Sequence, residues 1–495
     1  MTSKFTATSY EFAEYADARN VIGGAFVEDP GADLIDVMNP RHGKAMARVP
    51  MSGAAAVAAA VAAAREAQPA WARLPIRDRA QVFYRLRELM TRDLEELTWL
   101  VSHENGKVYE EAKGSVLKAI ECVEFGCSLP NLAVGQQLDV SRGVNCMVVH
   151  EPLGVVAGIC PFNFPLMVPM WMLPQAIVGG NAFIIKPSEQ VPLSIQRLAV
   201  LFEEAGLPAG IFSVVNGGRA AVEALTDDPG IAALAFVGST AVARQVYARG
   251  AATGKRMLCL GGAKNHLIVV PDADVELTTQ NVVDSFTGCA GQRCMAASVM
   301  LGVGDVDHIV SGIAAKAEEL RLGEQMGPIT SDAAAARITD YINAAEESGV
   351  KVLVDGRGQR ATDGGYWVGP TVLDGVTPDM PAGCEEIFGP VLSIIRVATV
   401  DEAITIENAS EYGNASSVYT TSGDVAREVM ERVSSGMCGV NVGVPVPREP
   451  FGFGGWNDSL FGHGNITGWD GFRFWTRPRK ITSKWAAQKD QTWMS

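Results

Sequence analysis

The segment FTGCAGQRCMA, residues 286–296, places a cysteine beside an arginine in a run of small residues. A cysteine attacks a carbonyl as the thiolate, which forms when a cation, a base or backbone amides lower the pKa of the thiol. Arg293 supplies a fixed positive charge next to Cys294, and the glycines allow a substrate to approach closely. An isolated cysteine is more often a small buried apolar residue, which is the prediction for Cys289. Cys294 is therefore a candidate nucleophile, and the residues around it must decide its role.

A candidate partner, Asn163, lies in the segment PFNFP, residues 161–165. The apolar run before it is typical of a buried strand. Two prolines and two aromatic residues then form a turn that would hold the Asn163 amide rigidly. Acyl chemistry needs such a donor where negative charge develops on a carbonyl oxygen. A structural asparagine in a proline-rich turn would look the same, so this motif alone is not decisive.

Two other segments place polar groups at the carboxyl ends of predicted strands, where α/β proteins bind nucleotides. In IIKPSE (184–189), Lys186 could donate hydrogen bonds to ribose hydroxyls. The Glu189 carboxylate could accept hydrogen bonds from both ribose hydroxyls and would repel a 2′-phosphate. In FVGST (236–240), Ser239 opens a predicted helix, where free amides and the helix dipole favour a pyrophosphate. The common G-x-G-x-x-G dinucleotide motif is absent.

Length and composition limit the classes of protein. The chain has 495 residues, a net charge of −15 and 47% hydrophobic residues, which suits a large globular protein of several domains. Because no run is rich in lysine and arginine, a nucleic-acid partner is disfavoured. The six histidines are scattered without metal-ligand spacing, so no metal site is expected. Nine irregularly spaced cysteines and an amino terminus without a signal pattern predict a reducing, cytoplasmic location.

Residues 152–185 carry no charge and are long enough to span a bilayer. Four prolines recur through this stretch, however, and would leave backbone groups unsatisfied in lipid. We therefore predict a buried strand, a tight turn and a short buried helix, and no membrane partner.

The candidate residues need a scaffold, and the chain alternates short apolar runs with helical patterns. Helices are predicted over 53–74, 77–101 and 110–130, and a two-stranded arm over 137–151. Strands and helices then alternate, first to about residue 270 and again from about 279 to 445, which predicts α/β architecture with a doubly wound parallel sheet. The C-terminal RKITSKW resembles a strand that could pair with the arm, even across a subunit interface.

The motifs PFNFP, KPSE, FVGST, GQRC and EEIFGPV (385–391) occur in the order and spacing of the NAD(P)-dependent aldehyde dehydrogenases, which the chain resembles from about residue 20 to 486. The resemblance implies Cys294 as nucleophile and Asn163 as oxyanion donor, together with the Cys294 amide. It implies that NAD is the cofactor. The cofactor-binding residues that it implies are Cys160, Phe162, Lys186, Glu189, Gln190, Ser239, Gly261, Glu386 and Phe388.

The resemblance also implies the domain organisation. An NAD-binding domain would comprise residues 1–136 and 155–265, and an α/β catalytic domain residues 266–465. Residues 137–154 and 466–495 would form a small β oligomerisation arm, through which family members assemble as homodimers or homotetramers.

The segment CLGGAKNH (259–266) differs from relatives that hydrolyse their thioester, because those carry a glutamate where Cys259 stands. That glutamate activates water. GAKNH and GQRCMA resemble the methylmalonate-semialdehyde dehydrogenase branch, which passes its acyl group to CoA. A thiol is more acidic and more nucleophilic than water, so an enzyme that uses CoA can dispense with the base. The expected substrate is a malonate or methylmalonate semialdehyde, or another short acidic aldehyde.

In that branch the counterpart of Arg293 contacts the substrate carboxylate or organises the site. A second arginine belongs to the helix after the E-N-G-K motif, where this chain has Lys118, which keeps the charge but loses bidentate recognition. Arg448 stands in a loop that tends to be apolar in the branch. These three residues are the substrate-binding candidates.

Two alternatives remain open. One is a hydrolytic aldehyde dehydrogenase whose base lies elsewhere in the chain. The other is a non-catalytic protein that keeps the fold as a binding module, against which the intact Cys294, Asn163 and Glu386 argue.

Overall fold

The computed structural model describes residues 8–485. The ends of the predicted NAD-binding domain and arm, residues 1–7 and 486–495, lie outside this range. The helices are α1 (Ala54–Arg73), α2 (Ile76–Arg92), α3 (Leu94–Asn105), α4 (Tyr109–Leu132), α5 (Met167–Val178), α6 (Leu193–Glu204), α7 (Arg219–Asp227), α8 (Thr240–Ala252), α9 (Val275–Thr287), α10 (Asp307–Glu318), α11 (Asp332–Glu347), α12 (Pro381–Cys384), α13 (Val400–Asn408), α14 (Gly423–Arg432) and α15 (Gly468–Phe474).

The strands are β1 (Asn20–Ile22), β2 (Ala25–Val27), β3 (Leu34–Asn39), β4 (Lys44–Pro50), β5 (Gln136–Ser141), β6 (Val144–Pro152), β7 (Val155–Ile159), β8 (Ala182–Lys186), β9 (Phe212–Val214), β10 (Ile231–Val237), β11 (Arg256–Leu260), β12 (Asn265–Val269), β13 (Ala297–Val303), β14 (Lys351–Val354), β15 (Thr371–Asp374), β16 (Val391–Val397), β17 (Tyr412–Gly413), β18 (Ala415–Tyr419), β19 (Met437–Val440), β20 (Trp456–Asn457), β21 (Leu460–Gly462) and β22 (Thr476–Lys484).

The first large sheet has the order β2-β1-β9-β8-β7-β10-β11-β21. Its five inner strands, from β9 to β11, run parallel, whereas β1 and β21 join antiparallel at either side. The strands β7 and β8 are buried throughout, as their sequences predict, which are apolar up to Lys186 at the end of β8. The carboxyl ends of β8, β7, β10 and β11 therefore lie side by side at one edge of the sheet.

The second large sheet has the order β14-β15-β16-β13-β12-β18-β19 and is parallel except for β14. Alternate residues of β13 point to opposite faces: Val299 and Leu301 pack in one hydrophobic core with α11, α13 and α14, whereas Met300 packs in another with α9 and α10. The two doubly wound α/β sheets confirm the predicted fold class.

The uncharged stretch 152–185 folds as β7, α5 and most of β8, which confirms the predicted buried strand, turn and short helix. Within residues 8–485, no helix combines the length and the apolarity needed to cross a bilayer. The same residues contain no group of three metal-ligating side chains.

Two predictions about individual elements need correction. The stretch 77–101 is two helices, because Asp93 ends α2 and forms ion pairs with Arg92 and Arg197. The strand β11 was not predicted, although it is as long as β7 and β8. The C-terminal strand β22 pairs with β6 over nine residues, which confirms the predicted pairing with the arm, and β22, β6 and β5 form one sheet within the subunit.

Candidate active site

A cavity of about 850 Å³ opens where the carboxyl ends of the first sheet face the loops of the second. All the residues that the sequence suggests for catalysis and cofactor binding line it: Cys160, Phe162, Asn163, Lys186, Glu189, Gln190, Ser239, Gly261, Cys294, Glu386 and Phe388. These residues are spread over more than 220 positions of the chain, and the two sheets bring them together. Cavities of this size hold drug-sized ligands and cofactors.

The loop that carries Cys294 follows α9 through a short turn of Gly288–Gly291. Two residues without the freedom of glycine, Cys289 and Ala290, adopt left-handed backbone angles there, with φ of 54° and 52°. The Glu111 carboxylate accepts a hydrogen bond from the Cys289 N–H at 2.7 Å and so holds the turn. Strained backbone of this kind persists only where its surroundings enforce it.

The same loop is fixed at its other side. The Gln292 amide donates to the carbonyl of Pro328 at 3.3 Å and accepts from the Thr330 N–H at 3.0 Å. Gly291 lies against the backbone of Gly389, so closely that a Cβ at Gly291 would lie 2.0 Å from the Gly389 carbonyl oxygen. The loop that carries Cys294 is therefore fixed between neighbouring loops on two sides.

Asn163 lies directly beside this loop. Its Nδ2 donates to the Gln292 carbonyl at 3.0 Å, which leaves its second N–H for another acceptor. The PFNFP turn is held by two side chains: Asn105 Nδ2 donates to the Phe162 carbonyl at 2.9 Å, and Lys107 Nζ donates to the Asn163 carbonyl. Because both carbonyls are bound, the amide is held next to Cys294 before any substrate arrives.

The thiol of Cys294 is protonated at neutral pH in this arrangement. Burial, with a further contribution from the Glu386 carboxylate, raises the pKa of Cys294 to about 12, and the nearby Arg293 opposes this only weakly. Burial also raises the pKa of Glu386 to about 7, although its Oε1 accepts the Ala263 N–H at 2.9 Å. The sequence suggested that Arg293 would stabilise the thiolate, but burial outweighs its charge.

The cavity wall fits a dinucleotide. Lys186 Nζ, at the last residue of β8, and Glu189 Oε2 form an ion pair at 2.9 Å. Burial alone would raise the pKa of Glu189, but Lys186 brings it below its usual value. Ser239 occupies the first position before α8, and its side chain makes no capping hydrogen bond, so the helix start is open to an anion. A Cβ at Gly262 would lie 2.3 Å from Glu386 Oε2, so only glycine lets the backbone approach this carboxylate. Phe388 meets Phe162 edge to face at 5.9 Å.

Cys259 is the last residue but one of β11, paired with Phe236 and Phe461, and its side chain is inaccessible to solvent. Burial raises the pKa of this thiol to about 12. A neutral thiol inside a sheet cannot take a proton from water at physiological pH.

The three substrate-binding candidates lie outside the cavity lining. Arg293 donates from Nη2 to the Ser285 carbonyl at 3.0 Å. Lys118 forms ion pairs with Glu449 and Glu121, and Arg448 is exposed. Their role in substrate binding stays a prediction.

Sequence reasoning did not select three polar residues that hold the site: Asn105, Lys107 and Glu111. They follow one another in the ENGK segment and the start of α4, and Lys107 is 3% exposed. The lysine and the glutamate lie in a stretch that otherwise packs in the core. Because buried charges need specific partners, these two residues could have indicated a role in holding the site.

Comparisons with known proteins agree with this geometry. The chain is 44% identical over 476 residues to malonate-semialdehyde dehydrogenase 1 of Geobacillus thermodenitrificans, covering 94% of this chain and 98% of the relative. A structure described as a methylmalonate-semialdehyde dehydrogenase from Sinorhizobium meliloti, complexed with NAD, superposes with a TM-score of 0.94 at 41% identity over 97% of this chain and all of that one. A methylmalonate-semialdehyde dehydrogenase from Oceanimonas doudoroffii also has a TM-score of 0.94, at 39% identity over 96% of this chain and 99% of that one. The model of the aldehyde dehydrogenase family matches residues 26–481, and the chain belongs to this family.

Proposed function

We propose that this protein oxidises malonate semialdehyde, or a closely related short acidic aldehyde, with NAD⁺ and passes the acyl group to CoA. The observation that carries the proposal is one cavity holding Cys294 and Asn163 beside the Lys186–Glu189 pair. The 44% identity to malonate-semialdehyde dehydrogenases supports the substrate.

The chemistry assigned to the chain's own residues begins with Cys294. Its thiol gives its proton to solvent water, and the sulfur of the thiolate forms a bond to the aldehyde carbon. The oxygen of that carbonyl becomes an oxyanion, which accepts hydrogen bonds from Asn163 Nδ2 and the Cys294 N–H. NAD⁺ bound at Lys186, Glu189, Ser239 and Glu386 supplies the hydride acceptor. Loss of the hydride leaves a thioester on Cys294.

Release of the acyl group then needs a nucleophile. The buried Cys259 thiol offers no base for water, which supports CoA as the acceptor: its thiolate attacks the thioester, and Cys294 leaves as the thiolate. The β-carboxylate of a malonate-type acyl group departs as CO₂ and the α-carbon takes up a proton from water, so the products are acetyl-CoA or propionyl-CoA.

Hydrolysis is the second candidate, and one observation favours it. Glu386 lines the cavity, and burial raises its pKa to about 7, which is suitable for a general base at neutral pH. The free acid would then replace acyl-CoA as the product.

The identity of the product separates these functions. With malonate semialdehyde, NAD⁺ and CoA, we expect acetyl-CoA, CO₂ and NADH in equal amounts, measured by mass spectrometry, CO₂ trapping and absorbance at 340 nm. Omitting the enzyme controls for spontaneous decarboxylation. Malonate or free acetate as the main product in the presence of CoA would contradict the CoA proposal.

NAD⁺ should be preferred to NADP⁺. The 2′-phosphate of NADP⁺ would bring negative charge onto the Glu189 carboxylate, so we expect kcat/KM to favour NAD⁺ by about tenfold or more. Glu189→Gln removes this repulsion and should lower the ratio of kcat/KM for NAD⁺ to kcat/KM for NADP⁺. A wild-type preference for NADP⁺ would show that Glu189 does not bind the ribose.

We propose further that the protein is a cytoplasmic homodimer or homotetramer assembled through the sheet of β5, β6 and β22. The outer strand β5 is exposed at every residue, and its Leu138 and Val140 leave apolar surface uncovered. The nine cysteines are unpaired, as suits a reducing compartment. Light scattering measures the molecular mass in solution, and the mass of a single chain would exclude a homodimer or homotetramer.

A further inference from the structure

The backbone carbonyl of Cys294 receives hydrogen bonds from two asparagine side chains. Asn265 Nδ2 donates to it at 2.7 Å, and Asn414 Nδ2 donates to it at 2.8 Å. Because a carbonyl oxygen has two lone pairs, these bonds use its full capacity as an acceptor. The two asparagines are 4% and 6% exposed, and neither lines the cavity, so they reach Cys294 from the interior of the protein.

The amino ends of three neighbouring strands in the second sheet bring these residues together. Asn265 is the first residue of β12, Asn414 directly precedes β18, and Cys294 lies three residues before β13. The strands β13, β12 and β18 are neighbours and run parallel, so their amino ends meet at one edge of the sheet. The edge of the second sheet therefore holds the residue that carries the nucleophile.

The two asparagines differ in their other partners. Asn265 Nδ2 also donates to the Ala296 carbonyl at 2.9 Å, and its Oδ1 accepts from the Ala415 N–H at 3.1 Å, so this side chain also holds the strands together. Asn414 Nδ2 also approaches the Met295 sulfur at 3.2 Å, which is a weak acceptor. A change at Asn414 therefore tests the bond to Cys294 more directly than a change at Asn265.

Fixing the carbonyl of Cys294 also fixes the orientation of its N–H and its thiol. All three groups are joined through one Cα, so the residue cannot turn without breaking both bonds to its carbonyl. Burial raises the pKa of the Cys294 thiol to about 12, and the residue's own N–H, which contacts the sulfur, acts to lower it. The same N–H is one of the two oxyanion donors in the proposed function, so its direction matters for the thiolate and for the oxyanion.

We propose that Asn414 is a positioning residue for the nucleophile: together with Asn265, it holds the Cys294 carbonyl so that the Cys294 N–H and sulfur face the aldehyde. The inference rests on the part of the proposed function in which Cys294 attacks an aldehyde, and it is independent of the acyl acceptor. Asn414 lies outside the cavity lining and acts through Cys294. Its loss should slow the chemical step and leave NAD⁺ binding unchanged.

The test is a single turnover with saturating NAD⁺ and the enzyme in saturating excess over the aldehyde, followed by the absorbance of NADH without CoA. In Asn414→Ala, the rate constant of NADH formation should fall by about ten- to a hundredfold, the loss that a small misplacement of a reacting group produces. The dissociation constant of NAD⁺, measured by calorimetry, should stay within about twofold. Partial unfolding would lower the amplitude of the reaction, whereas the rate constant describes each folded active site.

Asn181→Ala is the matched control. Asn181 is also a buried asparagine whose Nδ2 donates to two backbone carbonyls, those of Ala176 and Trp475, both at 2.9 Å. It directly precedes β8, at the opposite end of that strand from Lys186. Its loss should lower the midpoint of thermal unfolding, as the loss of Asn414 does, but leave the rate constant within about twofold.

Asn414→Asp keeps the shape of the side chain and serves if the alanine variant does not fold. At about pH 9 the carboxylate is ionised and cannot donate to the Cys294 carbonyl, so the rate constant relative to the wild type should fall about tenfold or more.

Rate constants within about twofold of the wild type in both Asn414 variants would overturn the proposal, and so would an equal loss in Asn181→Ala. Measurements with propanal as well as malonate semialdehyde make the result independent of an acidic substrate. Absence of acetyl-CoA together with a slow Asn414→Ala would overturn the CoA proposal and support the role of Asn414. Formation of acetyl-CoA together with unchanged rate constants would overturn the role of Asn414 alone.

Discussion

Cys294→Ala should lower the rate of NADH formation by about 10⁴-fold or more, since hydride release requires the bond between the sulfur and the aldehyde carbon. NAD⁺ binding should be retained, because Lys186 and Glu189 lie beyond β8, away from the altered side chain. Steady-state absorbance at 340 nm measures NADH formation, and calorimetry measures NAD⁺ binding.

Cys289→Ala is the matched control. Cys289 lies five residues earlier in the same loop, is 7% exposed, and does not line the cavity. Alanine tolerates its left-handed backbone no worse than cysteine does, so NADH formation should continue. Near wild-type turnover in Cys294→Ala and its loss in Cys289→Ala would identify Cys289 as the nucleophile instead.

Omitting CoA should give a burst of about one NADH per active site, followed by turnover that is about 10²- to 10⁴-fold slower, the factor that general-base assistance typically supplies. The reason is position 259, where a buried thiol with a pKa of about 12 stands in β11. Rapid quenching followed by mass spectrometry should detect the acyl group on Cys294. Adding CoA should restore steady turnover.

The same experiment has a clear contrary outcome. Fast steady formation of the free acid without CoA, unchanged when CoA is added, would establish hydrolysis. Glu386 would then be the first candidate for the base, because it lines the cavity and burial raises its pKa to about 7.

The sequence predicted the parts of the site that lie at strand ends. Short apolar runs followed by PFNFP, KPSE and FVGST locate the ends of β7, β8 and β10, because a parallel sheet aligns its carboxyl ends. It did not predict β11, although this strand is as long as β7 and β8. It also did not predict the break at Asp93, since a single ion-paired residue leaves only a weak signal in the helical periodicity.

The remaining differences come from contacts across long stretches of chain. The ion pair of Lys118 with Glu449, 331 residues away, was not predicted, and the role of Lys118 in substrate binding stays a prediction. Arg293 was expected to activate its neighbour, but its guanidinium turns to the Ser285 carbonyl, and burial dominates the pKa of Cys294. Desolvation and ion pairing depend on the assembled surroundings, which residue spacing does not encode.

Because Gly291 and Gly389 are in backbone contact, sequence changes in the loop that carries Cys294 and in the loop that carries Glu386 depend on each other. A side chain at Gly291 would meet the Gly389 carbonyl oxygen, and a side chain at Gly389 would meet the Ile338 side chain of α11 at 2.6 Å. Neither loop can therefore change its backbone position in evolution without the other. An insertion near Cys294 would also displace Glu386 and Phe388. Libraries that diversify this enzyme should leave both glycines fixed.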